Sequence, residues 1–334
     1  MKHDDPFKAL VLTQDDGRTQ SELRDLTIAR LPPGDVTVKV DYSSLNYKDA
    51  MAVTGKGRIV RDFPMVPGID LAGTVLESSA ADYPVGTPVV LTGWSVGERF
   101  WGGYSQVQRV KSEWLVPLAP GLDSFKAMAI GTAGLTAMLC VMDIEATGVA
   151  PGAGTVLVTG ASGGVGSGIV QLARARGAIP YAIVGEGKEA AVLDIGAEAV
   201  VTRGVDDLPA AVDKATGGRP IDVVADLVGG AMFNDLLRIL RPEGRYTTAG
   251  AIAGPVVQLD LRTMYLKQLQ LHGSSQGTRG DFRRIVRYIE EGKLRPLVGG
   301  VYRLSDFHRA QADFMAKAFV GKLVVVPDRI MDAA

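Results

Sequence analysis

The chain has 334 residues, enough for two domains with separate cores. Apolar residues make up 46% and the formal net charge is −1, so the composition gives no support to a basic nucleic-acid face or a polyanionic tail. One cysteine, Cys140 in Ala137-Met-Leu-Cys-Val-Met142, rules out an intramolecular disulfide and a cysteine-cluster zinc site, and it reads as a small core residue.

No apolar stretch follows Met1-Lys-His-Asp-Asp5, and no apolar span of 18 residues is read along the chain. The expectation is therefore no signal peptide, no membrane helix and a cytoplasmic protein. Residues 7–120 read as β-rich. Strands are predicted at Phe7–Thr13, Asp35–Tyr42, Gly73–Glu77, Pro88–Thr92 and Gly103–Val110, separated by Gly, Pro, Asp and Ser. Their spacing suits a small barrel or sandwich. Helical patterning begins at Ser124, a candidate N-cap for Phe125–Ile130, and resumes over Leu135–Ile144.

From Thr155 onwards, strands and helices alternate. Thr155–Thr159 is a β-branched apolar run, and Gly160–Gly166 is a glycine-rich turn. Val165, Ile169, Val170, Leu172 and Ala173 then recur at helical spacing, and Gly177 ends the helix. This is the first half of a βαβ unit that binds a dinucleotide: glycines let the backbone approach a pyrophosphate, and the helix N-terminus offers free N–H groups. Ala161 stands where the strict G-x-G-x-x-G pattern has its first glycine, so the turn alone also fits one without a ligand. The units that follow strengthen the dinucleotide reading. Strands are predicted at Ile179–Val184, Ala199–Thr202, Ile221–Val228, Tyr246–Ala249 and Leu269–His272, with helices at Lys188–Ile195, Asp206–Thr216 and Phe233–Leu240. Six strands joined by crossovers make a doubly wound parallel sheet. Helices at Asp281–Glu291 and Ser305–Lys317 follow, and the last strand, Gly321–Pro327, is expected to pair back into the N-terminal β domain.

The order of β domain, Rossmann domain and return to the β domain resembles that of the medium-chain dehydrogenase/reductase superfamily. Ser44-Leu-Asn-Tyr-Lys-Asp49, Pro67-Gly-Ile-Asp-Leu-Ala-Gly73, Gly131-Thr-Ala-Gly-Leu-Thr136 and Ala161-Ser-Gly-Gly-Val-Gly166 carry the resemblance. Ser43–Asp49, Thr54-Gly-Lys-Gly57, Leu91-Thr-Gly-Trp-Ser-Val-Gly97 and Ile130–Met142 resemble the acrylyl-CoA reductase family within its quinone-oxidoreductase branch. The resemblance implies an α/β chain with a GroES-like β-rich catalytic domain over 1–126 and 276–334. It also implies a Rossmann NADPH-binding domain with a doubly wound six-stranded parallel sheet over 127–275, and a homodimer.

In zinc alcohol dehydrogenases of this superfamily the catalytic ligands are two cysteines and a histidine; the matching positions here hold Asn46, Ile69 and Thr132. Ile69 has no ligating atom, and an amide and a hydroxyl do not replace thiolates on Zn²⁺. His3, His272 and His308 are scattered, so no metal site is predicted. Without a Lewis acid, alcohol oxidation loses its means of polarising oxygen, whereas a quinone or an enoyl thioester carries its own electron sink.

The resemblance puts Asn46-Tyr47-Lys48-Asp49 in the loop facing the nicotinamide. Tyr47, Asn46 and Asp49 are the candidate catalytic residues: Tyr47 can donate to a developing enolate oxygen or help deliver a proton, and Asn46 can donate to a cofactor or substrate oxygen. The plainer alternatives are a packed Tyr47, a solvated Lys48 and an Asp49 that caps the next helix. Thr132, Thr136, Ser162, Gly163, Gly164, Val165 and Gly166 join Tyr47 as candidate cofactor contacts. At the end of the second Rossmann strand, Gly185 leaves room for a 2′-phosphate with Lys188 as a nearby cation, and the resemblance implies that Arg203, just past the third strand, meets the adenosine phosphate; Glu186 favours a free ribose instead. The balance points to NADPH over NADH. Gly250 is expected beneath the nicotinamide.

Lys56-Gly-Arg58 with Arg61 forms a basic loop that either meets coenzyme A phosphates or is simply solvated. The sequence thus predicts a zinc-independent, NADPH-dependent reductase of activated C=C bonds, acting on a short enoyl-CoA such as acrylyl-CoA. The alternatives are a quinone reductase and a non-catalytic NADPH-binding protein. Neither nucleic acid nor membrane is an expected partner.

Overall fold

Contacts divide the chain into two compact units, Met1–Thr132 with Val298–Ala334, and Ala133–Leu297. The computed structural model describes residues 4–328 apart from 120, 146–153, 276 and 278.

The first unit is built from short strands: β1 (Phe7–Asp15), β2 (Arg18–Leu26), β3 (Val36–Leu45), β4 (Asp70–Ser78), β5 (Pro88–Thr92), β6 (Val107–Val110) and β7 (Val116–Pro117). Helix α1 (Tyr47–Thr54) follows β3, and α2 (Ser124–Glu145) closes this stretch of chain. β1 and β2 form a hairpin closed by Asp16 and Gly17, both left-handed, as a two-residue turn between twisted strands requires. β3 is the centre of the larger sheet. Val36, Val38 and Val40 alternate inwards, and β3 pairs antiparallel with both β4 and β6.

The second unit alternates strand and helix: β8 (Thr155–Thr159), α3 (Gly164–Ala175), β9 (Ile179–Val184), α4 (Glu189–Asp194), β10 (Ala199–Thr202), α5 (Leu208–Thr216), β11 (Ile221–Asp226), α6 (Phe233–Ile239), β12 (Leu240–Thr248), α7 (Leu261–Leu266), β13 (Gln270–Gly273) and α8 (Arg279–Glu290). The sheet order is β10-β9-β8-β11-β12-β13, parallel throughout, so the predicted doubly wound sheet is what forms. β8 is buried along its whole length, as a central parallel strand covered on both faces must be.

β14 (Val298–Arg303), α9 (Phe307–Ala316) and β15 (Lys322–Val326) return to the first unit. β15 pairs antiparallel with β3, which fulfils the expectation for the last strand.

Two expectations need correction. The boundaries fall at 132/133 and 297/298 instead of 126/127 and 275/276, which moves α8 into the Rossmann unit. The cause is packing: Phe282, Ile285 and Val286 are buried, Arg176 beyond α3 donates to the Tyr288 hydroxyl, and Gln171 brackets the backbone of Arg295. Second, an apolar span of that length does exist. Ser124–Met142 runs for 19 residues at a mean hydropathy of 1.6, and it is two-thirds buried in the protein as a core helix. Gly131, at φ 48° and ψ −154°, breaks it between the two predicted helical stretches.

Candidate active site

The functional motif of the first unit begins where β3 ends. Asn46 is the N-cap of α1, and Asp49 at its third position accepts a hydrogen bond from the Asn46 backbone N–H (3.0 Å). The other carboxylate oxygen of Asp49 accepts from Ile69 N–H (2.9 Å). Asp70, at the start of β4 and 0% exposed, accepts from Ser44 Oγ (2.6 Å), from Thr132 Oγ1 (2.6 Å) and from Thr132 N–H (3.0 Å). These last bonds explain the break in α2. At Gly131 a Cβ would lie 2.5 Å from Asp70 Oδ2, so only glycine lets Thr132 turn its N–H onto that carboxylate.

A buried cation completes the cluster. Lys322 is 4% exposed at the start of β15; its Nζ donates to Asn46 Oδ1 (2.6 Å) and to Leu45 O (3.4 Å), and it lies 3.7 Å from Asp70 Oδ2. This fixes the Asn46 amide, whose Nδ2 donates to Asp70 (2.8 Å) and Asp49 (3.2 Å). Burial, and then the neighbouring Asp70 charge, push the Asp49 carboxyl up to about 7. Burial pulls the Lys322 ammonium down. Tyr104, fully buried, donates to Ser44 O (3.2 Å), and burial raises its phenol well above the usual range.

The three residues proposed for catalysis therefore part company. Both amide hydrogens of Asn46 donate inside the cluster, to Asp70 and Asp49, so in this structure neither is turned towards a substrate or cofactor. Asp49, 2% exposed, caps α1 and accepts from Ile69 N–H inside the packed cluster. Tyr47 opens α1 with 38% of its surface exposed and is the one of the three that faces outwards. Lys48 is ion-paired with Glu98 at 2.8 Å instead of merely solvated. Asn46, Ile69 and Thr132, the positions that match zinc ligands, are thus all engaged in hydrogen bonds, Ile69 through its backbone.

In the second unit, Gly160 to Gly163 form the turn and α3 begins at Gly164. The first intrahelical bond runs from Ser167 N–H to Gly163 O (2.9 Å), which leaves the N–H groups of Gly164, Val165 and Gly166 free of intrahelical acceptors. A Cβ at Gly166 would lie 2.4 Å from Gly160 O, so the tight cradle depends on glycine there. Ser162 is buried in it, and Ala161, fully buried, occupies the first fingerprint position without disturbing the turn. Gly185 follows β9 with open space where a Cβ would be. Arg203 N–H donates to Val184 O (2.7 Å), which brings exposed Arg203 beside Gly185, while Lys188 begins α4. Thr136 lies half-buried on α2, and Gly250 packs near Leu227 O beyond β12. These residues fit a dinucleotide with an extra phosphate on its adenosine ribose.

Sequence reasoning missed Asp70, Lys322 and Asp226 as site-building residues. Asp226 ends β11, accepts from Thr159 Oγ1, Tyr246 OH and the N–H groups of Val228 and Gly229, and so holds the loop beyond the strand. The available signal was a charge inside an otherwise apolar strand, in β15 as in β11.

The alcohol dehydrogenase GroES-like domain model matches residues 32–120, and the zinc-binding dehydrogenase model matches 164–291. This chain belongs to the medium-chain dehydrogenase/reductase superfamily. Among its superfamily relatives, acrylyl-CoA reductase AcuI of Ruegeria pomeroyi is 39% identical over 328 residues, covering 96% of this chain and 98% of its own. The structure of Escherichia coli K-12 YHDH with bound NADPH is 37% identical at a TM-score of 0.84, covering 95% and 99%. Bacillus subtilis YhfP, which carries a quinone-oxidoreductase name, is 35% identical over 326 residues (96% and 98%), and its structure with NAD bound matches at 29% identity and a TM-score of 0.84 (97% and 100%). The chain is an oxidoreductase.

Proposed function

We propose that this chain uses NADPH to reduce the activated C=C bond of a short enoyl-CoA such as acrylyl-CoA, without a catalytic metal. The observation that carries this reading is the locked Asn46–Asp49–Asp70–Lys322 cluster, which leaves Tyr47 as the outward donor of the motif. The similarity to AcuI supports the substrate class.

When bound, the cofactor supplies a hydride to the β-carbon of the acyl group. Negative charge would then develop on the thioester oxygen, and the Tyr47 hydroxyl would donate to it until the α-carbon takes a proton from solvent, which completes the addition of hydride and proton across the C=C bond. Gly164 to Gly166 would hold the pyrophosphate through backbone N–H groups, and Arg203 with Lys188 would meet the 2′-phosphate. Exposed Lys56, Arg58 and Arg61 lie beyond the far end of α1, about 12 Å along the axis from Tyr47 by helical rise. That spacing suits a thioester at Tyr47 with its coenzyme phosphates on the basic loop. The reading includes a cytoplasmic homodimer. An open edge at β13 and the exposed Leu261, Tyr265, Leu266 and Leu271 in the same unit support the pairing.

The test is NADPH consumption with acrylyl-CoA, crotonyl-CoA and benzoquinone, with metal analysis of the same protein. Tyr47→Phe keeps the ring, so stability and NADPH affinity should hold while kcat on acrylyl-CoA falls on the order of 10²–10³-fold. Wild-type rates in Tyr47→Phe, or a stoichiometric zinc whose removal abolishes activity, would overturn the mechanism. Turnover of benzoquinone alone would put a quinone reductase in its place, the reading that the YhfP name favours.

A further inference from the structure

Between β5 and β6 the chain makes a loop that no function has yet absorbed, Gly93-Trp-Ser-Val-Gly97. Gly93, Trp94 and Ser95 are all left-handed, at φ 85°, 56° and 60°. Glycine adopts this conformation freely, but a residue as bulky as tryptophan is a genuine outlier there. The surroundings hold it. Gly93 N–H donates to Ile69 O (3.2 Å), Val96 N–H to Gly93 O (3.0 Å), Arg99 N–H to Ser95 O (2.9 Å), and Gly97 packs so closely on Gly68 that a Cβ would come within 2.8 Å.

The strain does not serve packing. Trp94 is 49% exposed, and no ring contact or hydrogen bond of its side chain is found among the described residues. By contrast, Trp114 is buried against Phe100, and the Trp101 indole donates to Pro64 O (3.0 Å). The loop lies next to the Tyr47 helix: Ile69, whose O takes the Gly93 bond, gives its own N–H to Asp49, and Glu98 pairs with Lys48. A strained backbone thus holds an exposed indole, with no ring contact or hydrogen bond among the described residues, on a loop tied to the Tyr47 helix.

We propose that Trp94 contacts the substrate: its indole is an apolar platform beside Tyr47 against which the flat, conjugated acceptor lies. A rigid aromatic suits that task, since a planar π-system packs on an indole face and little conformational freedom is lost. The proposal rests on the reading that the chain reduces such an acceptor.

The experiment compares the wild type, Trp94→Gly and Trp94→Phe, each as the full chain with NADPH. Trp94→Gly should raise KM for acrylyl-CoA roughly tenfold, the equivalent of about 1.4 kcal/mol. It should leave NADPH affinity unchanged and should not lower the thermal midpoint, because glycine accepts the left-handed backbone. Trp94→Phe should recover most of the affinity. Propionyl-CoA, the saturated product, should quench wild-type tryptophan fluorescence, and the quench should be lost in Trp94→Phe. An unchanged KM in Trp94→Gly with normal wild-type turnover overturns the role of Trp94 and leaves the activity standing. If the wild type ignores acrylyl-CoA but reduces benzoquinone, the thioester reading fails. The same KM rise for benzoquinone then upholds Trp94, and its absence overturns it.

Discussion

Replacing Lys322 by methionine should destabilise the first unit severely. The side chain is nearly isosteric along its stem, so the perturbation is the loss of one buried ammonium. Its Nζ donates to Asn46 Oδ1 at 2.6 Å and lies 3.7 Å from Asp70, in a cluster that also holds Asp49. Without it, two buried carboxylates face each other with no cation, and the Asn46 carbonyl loses its donor. Removing one partner of a buried pair typically costs about 3–5 kcal/mol, a large part of the roughly 5–15 kcal/mol that holds a domain folded. At about 2–4 °C per kcal/mol for a domain of 150–250 residues, the thermal midpoint should fall by roughly 6–20 °C. The deficit should be larger at pH 8 than at pH 5, because Asp49, held up to about 7, takes a proton at the lower pH and relieves the uncompensated charge. Scanning calorimetry of Lys322→Met at both pH values decides the matter. A loss below about 1 kcal/mol, or one equal at pH 5 and pH 8, would refute the account of the cluster.

Two further outcomes follow from the same geometry. Asp49 has its folded value raised from 3.8 to about 7, so the stability it contributes is fully present below about 4 and is lost as the pH rises through about 7; Asp49→Asn should flatten that slope in urea midpoints taken from pH 5 to pH 8. Arg203→Ala should weaken NADPH binding roughly ten- to a hundredfold, from about 1.5–3 kcal/mol for a charge-assisted bond, and leave NADH almost unchanged; equal losses in titrations with the two cofactors would show that the phosphate is not read there.

The Rossmann unit was largely legible because its strands are continuous apolar runs punctuated by glycine, and burial on both faces leaves such strands no other pattern. Ile179–Val184 and Ala199–Thr202 form with the predicted bounds. β2 was missed because Arg18-Thr-Gln-Ser-Glu-Leu-Arg-Asp-Leu26 is polar and half-exposed, and its register comes from pairing with β1. The Asp16-Gly17 pair was the readable sign of that hairpin. At the site, Tyr47 could be singled out from its motif. The fate of Asn46 could not, because it depends on Lys322, 276 residues away in sequence and brought alongside by the pairing of β15 with β3.

That long-range contact also bears on which group can meet charge on a substrate. Asn46 could serve only by withdrawing Nδ2 from Asp49 and Asp70. A hydrogen bond to a charged group contributes about 1.5–3 kcal/mol, and breaking two would also leave buried carboxylate oxygens short of donors. An oxyanion donor supplies about 2.7–4 kcal/mol to the transition state. The exchange yields little or nothing, which argues against Asn46 as a donor in the proposed reaction. Tyr47 bears no such cost: its ring is exposed at the start of α1, and no hydrogen bond of its hydroxyl within the protein is found among the described residues. The buried lysine therefore holds Asn46 and Asp49 in the framework, and the proposed role of meeting charge on a substrate rests on the Tyr47 phenol.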